Sequence, residues 1–342
     1  MPSVNQRISE YILEQKIGGG AFGEVWRGRH HVWADRIVAL KFPTDPRYVR
    51  NLQREGTAIH GLVHPNIVKA IGFDPFADPP YLVMEYVPGS SLRPLIRDRA
   101  LSVNQAIAVL KQVLRGLAHA HGAGVIHRDI KPENILIHER VFQEGFDVEG
   151  LVKVTDFGLG RAANQAAAGS VLFSQSLHDG GGQAIAGTLD YMSPEQRAGQ
   201  PVDARADLYA CGVVLYEMLT GERPAGTDLP SDLNKDVPKH VDEVFRRSYA
   251  RLDRRFESAE QFLAALDPVI PPPLPATRGA PQARACPQCR QPVQPGDQFC
   301  MHCGIQLVDR VRRCPKCNGW PDVEDRVCSH CGHPLKPLSV IA

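Results

Sequence analysis

The first hundred residues alternate short apolar runs with polar turns. The runs YILEQKI, AFGEVWRGRH, DRIVALKF and YLVMEYV are rich in the β-branched and aromatic residues typical of strands. A helical segment near residues 48–62 precedes the last of these runs. This part of the chain therefore predicts an antiparallel sheet accompanied by one helix.

After about residue 103 the pattern becomes helical. The stretch VNQAIAVLKQVLRGLAHAHGAG places apolar residues three and four positions apart, which is the period of one helix face. The charge-free run YACGVVLY (209–216) is far shorter than the ~20 residues that cross a bilayer, so it indicates a buried helix. Strands followed by helices predict an α+β domain with two lobes.

Composition marks a boundary near the end of these helices. Residues 268–285, PVIPPPLPATRGAPQARA, are rich in proline and alanine and predict a semi-rigid linker after a domain at 11–267. The first fifteen residues lack the pattern of a secretory signal. With 39 basic and 38 acidic residues, the net charge of +1 gives no sign of bulk affinity for nucleic acid or membrane. We therefore expect a soluble, cytoplasmic protein.

Eight of the nine cysteines lie after this linker, between residues 286 and 331. Residues 286–307 and 314–335 share the pattern Cys-x₂-Cys-x₁₀-Cys-x₂-Cys at an offset of 28 positions. Four thiolates suit tetrahedral zinc, whereas disulfides would need an exported chain; a redox or iron–sulfur role stays open. The sequence predicts two zinc ribbons, each with one structural Zn²⁺. Their ligands would be Cys286, Cys289, Cys300 and Cys303 in the first and Cys314, Cys317, Cys328 and Cys331 in the second.

Other ribbon residues suggest partners only weakly. Gly304 and Gly332 follow the last cysteine of each set, where a knuckle turn needs a positive φ. Residues 268–342 carry nine basic and five acidic side chains, and two Zn(Cys)₄ sites would cancel that excess, so nucleic acid is a poor candidate. Phe299 and Trp320 either form a face for a protein partner or cover their own knuckles.

Phosphate chemistry is indicated near the N-terminus. IGGGAFGEV (17–25) holds Gly18, Gly20 and Gly23 in GxGxxG spacing, and a strand follows rather than the helix of a dinucleotide-binding fold. Lys41 stands in the apolar run VALK, where its ammonium needs an anionic partner. Glu55 and a phosphate are the candidates.

Two later motifs add catalytic groups. In VIHRDIKPENILI (125–137), Asp129 can accept a hydroxyl proton and Lys131 can offset charge on a transferring phosphoryl group. Asn134, with Asp156 of TDFGLG (155–160), offers the oxygen ligands that Mg²⁺ prefers.

In this order the motifs resemble the bacterial form of the eukaryotic-like serine/threonine protein kinases, over about residues 11–267. The resemblance implies a two-lobed fold and transfer of the γ-phosphoryl group of ATP to Ser and Thr hydroxyls of proteins, including the chain itself. It implies a Lys41–Glu55 pair that grips the phosphates, Asp129 as catalytic base and Mg²⁺ on Asn134 and Asp156.

The resemblance also implies an ATP site in which Met84 is the gatekeeper and the Glu85 carbonyl and Val87 amide meet adenine. It implies a Glu195–Arg255 pair and a brace from Asp207 to the catalytic loop. The ATP-binding set would be Ile17, Gly18, Gly20, Gly23, Val25, Ala39, Lys41, Met84, Glu85, Val87 and Leu136.

Further expectations concern the activation segment and the substrate preference. Arg128 is expected to pair with an autophosphorylated serine within Ser170–Ser176, while Thr188 is expected to contact the catalytic loop. Ser91 replaces the Glu of Arg-directed relatives, which argues against a preference for basic peptides. A small-molecule kinase and a pseudokinase scaffold acting through the ribbons are the competing hypotheses.

Overall fold

The computed structural model divides the chain into two compact units, Met1–Pro268 and Val269–Ala342. The expected phosphorylation sites Ser170–Ser176, Thr188 and most of the linker lie outside the described residues. The described residues are 2–20, 23–45, 48–157, 189–267, 284–293, 297–308, 311–321, 325–328 and 330–336.

An antiparallel sheet of six strands begins the first unit, in the order β1-β2-β3-β4-β6-β5. The strands are β1 (Arg7–Ile8), β2 (Tyr11–Gly20), β3 (Gly23–His30), β4 (Ile37–Pro43), β5 (Ala70–Asp74) and β6 (Tyr81–Glu85). Alternation along β4 sends Val38, Leu40 and Phe42 into a small core on one face. Ala39 and Lys41 therefore point to the opposite face.

Helix α1 (Val49–His60) packs on the sheet with one buried face. Leu52, Glu55 and Ile59 form that face because they recur at helical spacing. An acidic residue on this face is consequently directed toward the sheet, on the side of β4 that carries Lys41.

The rest of the first unit, as far as the structure describes it, contains helices and a second sheet. Strands β7 (Gly89–Ser91), β8 (Ile135–His138) and β9 (Val152–Val154) form this antiparallel sheet. The described helices are α2 (Leu92–Arg97), α3 (Val103–Gly122), α4 (Val141–Glu144), α5 (Pro194–Arg197), α6 (Arg205–Thr220), α7 (Pro230–Leu233), α8 (Lys239–Ser248) and α9 (Ala259–Ala265). Every residue of α6 after Arg205 is buried, as its apolar run predicts. None of the described helices has the length and apolar character needed to span a bilayer.

The second unit contains the two cysteine-rich segments and the short antiparallel pair β10 (Arg284–Ala285) and β11 (Pro292–Val293). Gly304 and Gly332 have φ angles of 74° and 70°, as the sequence predicts. Arg290 and Asn318 also have positive φ, at 61° and 59°, without a glycine to signal it.

Side chains join the two ribbon segments to each other. The buried amide of Gln298 donates to the carbonyl oxygens of Arg312 and Pro321 and accepts the backbone N–H of Arg312. Phe299 meets Trp320 edge to face at 5.3 Å between ring centroids. Each aromatic residue therefore packs against the other segment.

Candidate active site

Lys41 lies between two carboxylates at the centre of the first unit. Its Nζ is 2.9 Å and 2.8 Å from the two Glu55 oxygens and 2.9 Å from Asp156 Oδ1. Strand β4 supplies the lysine, α1 supplies Glu55, and the segment after β9 supplies Asp156. The structure thus brings together residues separated by up to 115 positions.

Burial and charge shift the pKa values of this group. Burial alone would lower the pKa of Lys41, but the carboxylates of Asp156 and Glu55 outweigh it and raise that pKa. Burial raises the pKa of Glu55, whereas for Asp156 the attraction of Lys41 overcomes burial and lowers the pKa. Lys41 therefore stays charged and Asp156 stays an anion at neutral pH.

A loop carries the second group of candidate residues. Lys131 Nζ is 2.8 Å from Asp129 Oδ2, and the Asn134 amide donates to the same oxygen at 3.1 Å and to the Asp129 carbonyl at 2.8 Å. The N–H of Thr155 donates to the Asn134 carbonyl at 3.0 Å, which ties this loop to the segment that ends in Asp156. The two groups of polar side chains are thus linked through the backbone.

Asp207, on α6, binds the backbone of the loop that carries Asp129, which we call the catalytic loop. Its carboxylate accepts the backbone N–H groups of His127 at 2.9 Å and Arg128 at 2.7 Å, and it lies 2.8 Å from His121 Nε2. Arg128 and Asp156 both have left-handed backbone conformations, with φ of 67° and 65°. Such conformations cost ~1–3 kcal/mol in a non-glycine residue and persist only where surrounding contacts enforce them.

The residues expected around adenine lie mainly on the inner face of the sheet. Ala39 pairs with Met84 in register, and both are buried in the large core. Val25, Val87 and Leu136 are partly buried against that core. Ile17 is 41% exposed.

Three other members of the predicted set, Gly18, Gly23 and Glu85, have contacts within the sheet or beside it. A Cβ on Gly23 would approach the Phe42 carbonyl oxygen to 2.6 Å, so this glycine is required by the closeness of β3 and β4. Gly18 pairs with Val25 in register. The Glu85 side chain accepts from the Lys69 N–H at 2.8 Å and from Lys153 Nζ at 3.0 Å.

Glu195 and Arg255 form a buried pair away from the loop. Their side chains meet at 2.7 Å and 3.2 Å, and the guanidinium also donates to the Arg205 and Ala250 carbonyls. The pair fastens α5 to the segment before α9.

Both cysteine sets have the dimensions of a metal site. The sulfur atoms of Cys286 and Cys303, and of Cys289 and Cys300, are 3.6 Å apart, too far for a disulfide. The corresponding distances in the second set are 3.6 Å and 3.7 Å. A tetrahedron with Zn–S bonds of about 2.3 Å has edges of about 3.8 Å, so both sets fit Zn²⁺.

Backbone N–H groups favour a thiolate at one cysteine of each set, Cys286 and Cys314, whereas at Cys289 and Cys317 they are outweighed by burial and neighbouring sulfur atoms, which raise the pKa values of those two thiols. The N–H of Cys289 donates to the Cys286 sulfur and lowers the pKa of that thiol to about 6. A preformed thiolate is the state that zinc binds.

Comparison with family models identifies the kinds of domain in the chain. The family model described as "Protein kinase domain" matches residues 11–268. The chain belongs to the protein kinase family. The model described as "Double zinc ribbon" matches residues 286–332.

The chain is similar to several curated bacterial kinases. It is 38% identical over 226 residues to the serine/threonine-protein kinase pkn3 of Myxococcus xanthus, covering 64% of this chain and 39% of the relative. It is 32% identical over 284 residues to the serine/threonine-protein kinase PrkC of Bacillus subtilis, covering 76% and 41%. The chain thus spans about two fifths of the length of these curated relatives.

Solved structures support the fold. The kinase domain of Mycobacterium tuberculosis PknI superposes with a TM-score of 0.58 at 24% identity, covering 78% of this chain and 98% of that one. The predicted two-lobed α+β kinase fold, and the resemblance to bacterial kinases with a double zinc ribbon, are confirmed.

Sequence reasoning missed several residues beside the site. Gln112 and Asn66 are fully buried and joined by a 2.7 Å hydrogen bond that connects α3 to the segment before β5. Arg93, Tyr191 and Glu217 form a polar cluster near the catalytic loop. No motif predicted either group, because the hydrogen bonds within each group join residues that are distant in sequence.

Proposed function

We propose that the chain is an ATP-dependent serine/threonine protein kinase that phosphorylates Ser and Thr hydroxyls of proteins, including its own. The observation that carries this proposal is the bridge of Lys41 to both Glu55 and Asp156, next to the Asp129–Lys131–Asn134 cluster. The pseudokinase hypothesis lacks support, because the relatives are named protein kinases and Lys41, Asp129 and Asp156 are all present.

Each side chain has a proposed role in the transfer. Asp129 accepts the proton of the acceptor hydroxyl, whose oxygen then forms a bond to the γ-phosphorus of ATP. The bond from that phosphorus to the bridging oxygen breaks, and ADP leaves. Lys131, 2.8 Å from Asp129, offsets negative charge on the phosphoryl group, while Lys41 holds the phosphates.

Metal and nucleotide would be held by the residues that the sequence singles out. The amide nitrogen of Asn134 is engaged by Asp129, so its oxygen would join Asp156 as a ligand of Mg²⁺. When bound, Mg²⁺ neutralises charge on the phosphates. The adenine would contact Val25, Ala39, Met84, Val87 and Leu136, with Ile17 at the rim. Gly18, Gly20 and Gly23 would give the phosphates access to backbone N–H groups, and the Glu85 carbonyl and Val87 amide would meet the adenine edge.

The ribbons are proposed to bind two structural zinc ions and a protein partner. The eight free thiols at tetrahedral spacing support a reducing compartment, and we propose the cytoplasm. The domains are proposed as kinase 11–267, linker 268–285 and ribbons 286–307 and 314–335.

Replacing the proposed base tests this function. Asp129→Asn keeps the side-chain shape but removes the proton acceptor, so autophosphorylation with ATP and Mg²⁺ should fall by about 10²–10⁴-fold. Asp253→Asn, at an exposed position away from the loop, should retain the wild-type rate. Wild-type protein that binds ATP without transferring phosphate to itself or to a generic protein would refute the proposal.

A further inference from the structure

Arg93, in the first turn of α2, satisfies three acceptors beside the catalytic loop. Its Nε is 2.7 Å from Glu133 Oε1, its Nη1 is 2.6 Å from Glu217 Oε1, and its Nη2 donates to the Tyr191 hydroxyl at 2.6 Å. Tyr191 in turn donates to the other oxygen of Glu217. The planar guanidinium is thus held on all three nitrogens.

The three acceptors converge on one place, where Arg93 makes the shortest ion pair to the buried Glu217 carboxylate. The Glu217 side chain is only 6% exposed, and a carboxylate that buried needs a cationic partner. Glu133 is 46% exposed and faces solvent. The cluster is therefore buried at Glu217 and open to solvent at Glu133.

This cluster adjoins the proposed chemistry. Glu133 follows Asp129 by four positions in the same loop. Tyr191 and Asp129 line one small cavity with Met192 and Gln196. A peptide that presents its hydroxyl to Asp129 must therefore pass close to Glu133 and Tyr191.

A second arginine shares the same surroundings. Arg223 forms an ion pair with Asp190, lies 3.7 Å from Glu217 and stacks 5.5 Å from the centre of the Tyr191 ring. With Glu133, Glu217 and Asp190 acidic and Arg93 and Arg223 basic, the cluster has a net charge of −1. Without Arg93 it would have −2, and without either arginine −3.

We propose that Arg93 occupies from within a guanidinium-binding subsite that would otherwise select arginine in the acceptor peptide. Arg93 is then a specificity-determining residue: it makes the chain indifferent to arginine near the acceptor hydroxyl. A free guanidinium has the same donor fork as Arg93 and can satisfy the same three acceptors. This inference rests on the proposed kinase function.

The test uses the full chain, ATP–Mg²⁺ and paired synthetic peptides. Each pair has one acceptor Ser in an Ala/Gly background and carries either Arg or Gln at one of the five positions on each side. The readout is the ratio of kcat/KM for the Arg peptide to that for the Gln peptide. The wild type should give ratios within about twofold of one at every position.

Arg93→Met removes the charge and retains an unbranched apolar stem. We expect its ratio to rise about tenfold or more at one position or at two adjacent positions, and to rise further in Arg93→Met/Arg223→Gln, where neither internal arginine can reach Glu217. Glu217→Gln added to Arg93→Met should reverse most of the gain. Arg97→Met is the matched control, because Arg97 lies on the same helix and, among the described residues, forms an ion pair with the exposed Asp98. This variant should keep the wild-type ratio.

Three outcomes overturn the inference. The first is an unchanged ratio in an Arg93→Met variant that still phosphorylates the Gln peptide. The second needs no change at Arg93: a wild-type preference for Arg that Glu133→Gln abolishes would show the subsite to be open. If the wild type phosphorylates neither peptide nor itself, the proposed function fails and this inference fails with it.

Discussion

A single carboxylate, that of Asp207, keeps the catalytic loop in a conformation that its own sequence does not favour. It accepts two consecutive backbone N–H groups, from His127 and Arg128, and Arg128 has a left-handed backbone. The energetic cost at Arg128, ~1–3 kcal/mol, is of the size that two charge-assisted hydrogen bonds offset. The position of Asp129 is therefore set by α6 as much as by the loop.

The Glu195–Arg255 pair leads to a prediction about pH. Burial alone would raise the pKa of Glu195, but the hydrogen bonds from Arg255 outweigh it and hold that pKa below its usual range. A group with a lowered folded pKa stabilises the protein fully above the unfolded pKa of about 4.3, and loses that contribution as pH falls through the folded value. Glu195→Gln should therefore lower the free energy of unfolding by ~3–5 kcal/mol at pH 7.

Urea unfolding of both proteins at pH 7, 5 and 3.5 measures this. The difference between wild type and Glu195→Gln should persist at pH 5 and shrink at pH 3.5. The control Glu243→Gln, at an exposed surface pair with Arg246, should differ from wild type by less than ~1 kcal/mol throughout. A difference between wild type and Glu195→Gln that stays constant with pH would contradict the assignment.

At the scale of the elements, α6 approaches α8 closely at one glycine. A Cβ on Gly212 would lie 2.3 Å from Ser248 Oγ and 2.9 Å from Ser248 Cβ, where α6 and α8 meet. Glycine is normally a poor helix residue, and its presence here is explained by this close approach.

Gly212→Ala tests that explanation because two effects oppose each other. Alanine gains ~0.8–1 kcal/mol of helix propensity, whereas overpacking costs ~1–3 kcal/mol. We expect net destabilisation, seen as a lower melting temperature, with recovery in Gly212→Ala/Ser248→Gly. Gly122→Ala, at the end of α3 with no atom within 4 Å of the added Cβ, should be neutral or stabilising. A Gly212→Ala protein as stable as wild type would rule out the close approach.

Some elements and contacts of the fold could be predicted from the sequence, and others could not. Strands β2, β3, β4 and β6 and helices α1, α3 and α6 were predictable because each carries a clear apolar pattern. The Asn66–Gln112 contact and the Arg93 cluster were not, since their partners lie 46 and up to 124 positions away. The left-handed turn at Arg290 was missed because arginine does not favour that conformation; Asn318 has a side chain that tolerates it but was not singled out.

At the scale of the whole molecule, the two units are expected to melt independently while the two ribbons do not. Gln298 from the first ribbon binds backbone atoms at both Arg312 and Pro321, which flank the first CxxC pair of the second. Arg312 donates onward to the carbonyls of Asp325 and Lys336. Loss of order in one ribbon should therefore weaken the other.

Metal analysis tests this coupling. Wild-type protein should contain two zinc ions per chain. Cys300→Ser removes one thiolate and, since metal binding supplies the folding energy of such modules, should abolish the first site and lower zinc affinity at the second. The kinase unit should keep its own melting transition. Cys211→Ser, which changes the buried cysteine of α6, should retain both ions. Iron in place of zinc, or an unweakened second site in Cys300→Ser, would contradict this prediction.

Helix α6 also fixes the distance between two functional groups of residues. Asp207 near its start fixes the catalytic loop, and Glu217, ten residues later and about 15 Å along the axis, forms the floor of the Arg93 cluster. The same buried helix therefore sets the distance between the loop that carries Asp129 and the Arg93 cluster. If the proposed function holds, exchange of side chains at the cluster would alter the choice of substrate while Asp207 keeps its hydrogen bonds to the loop.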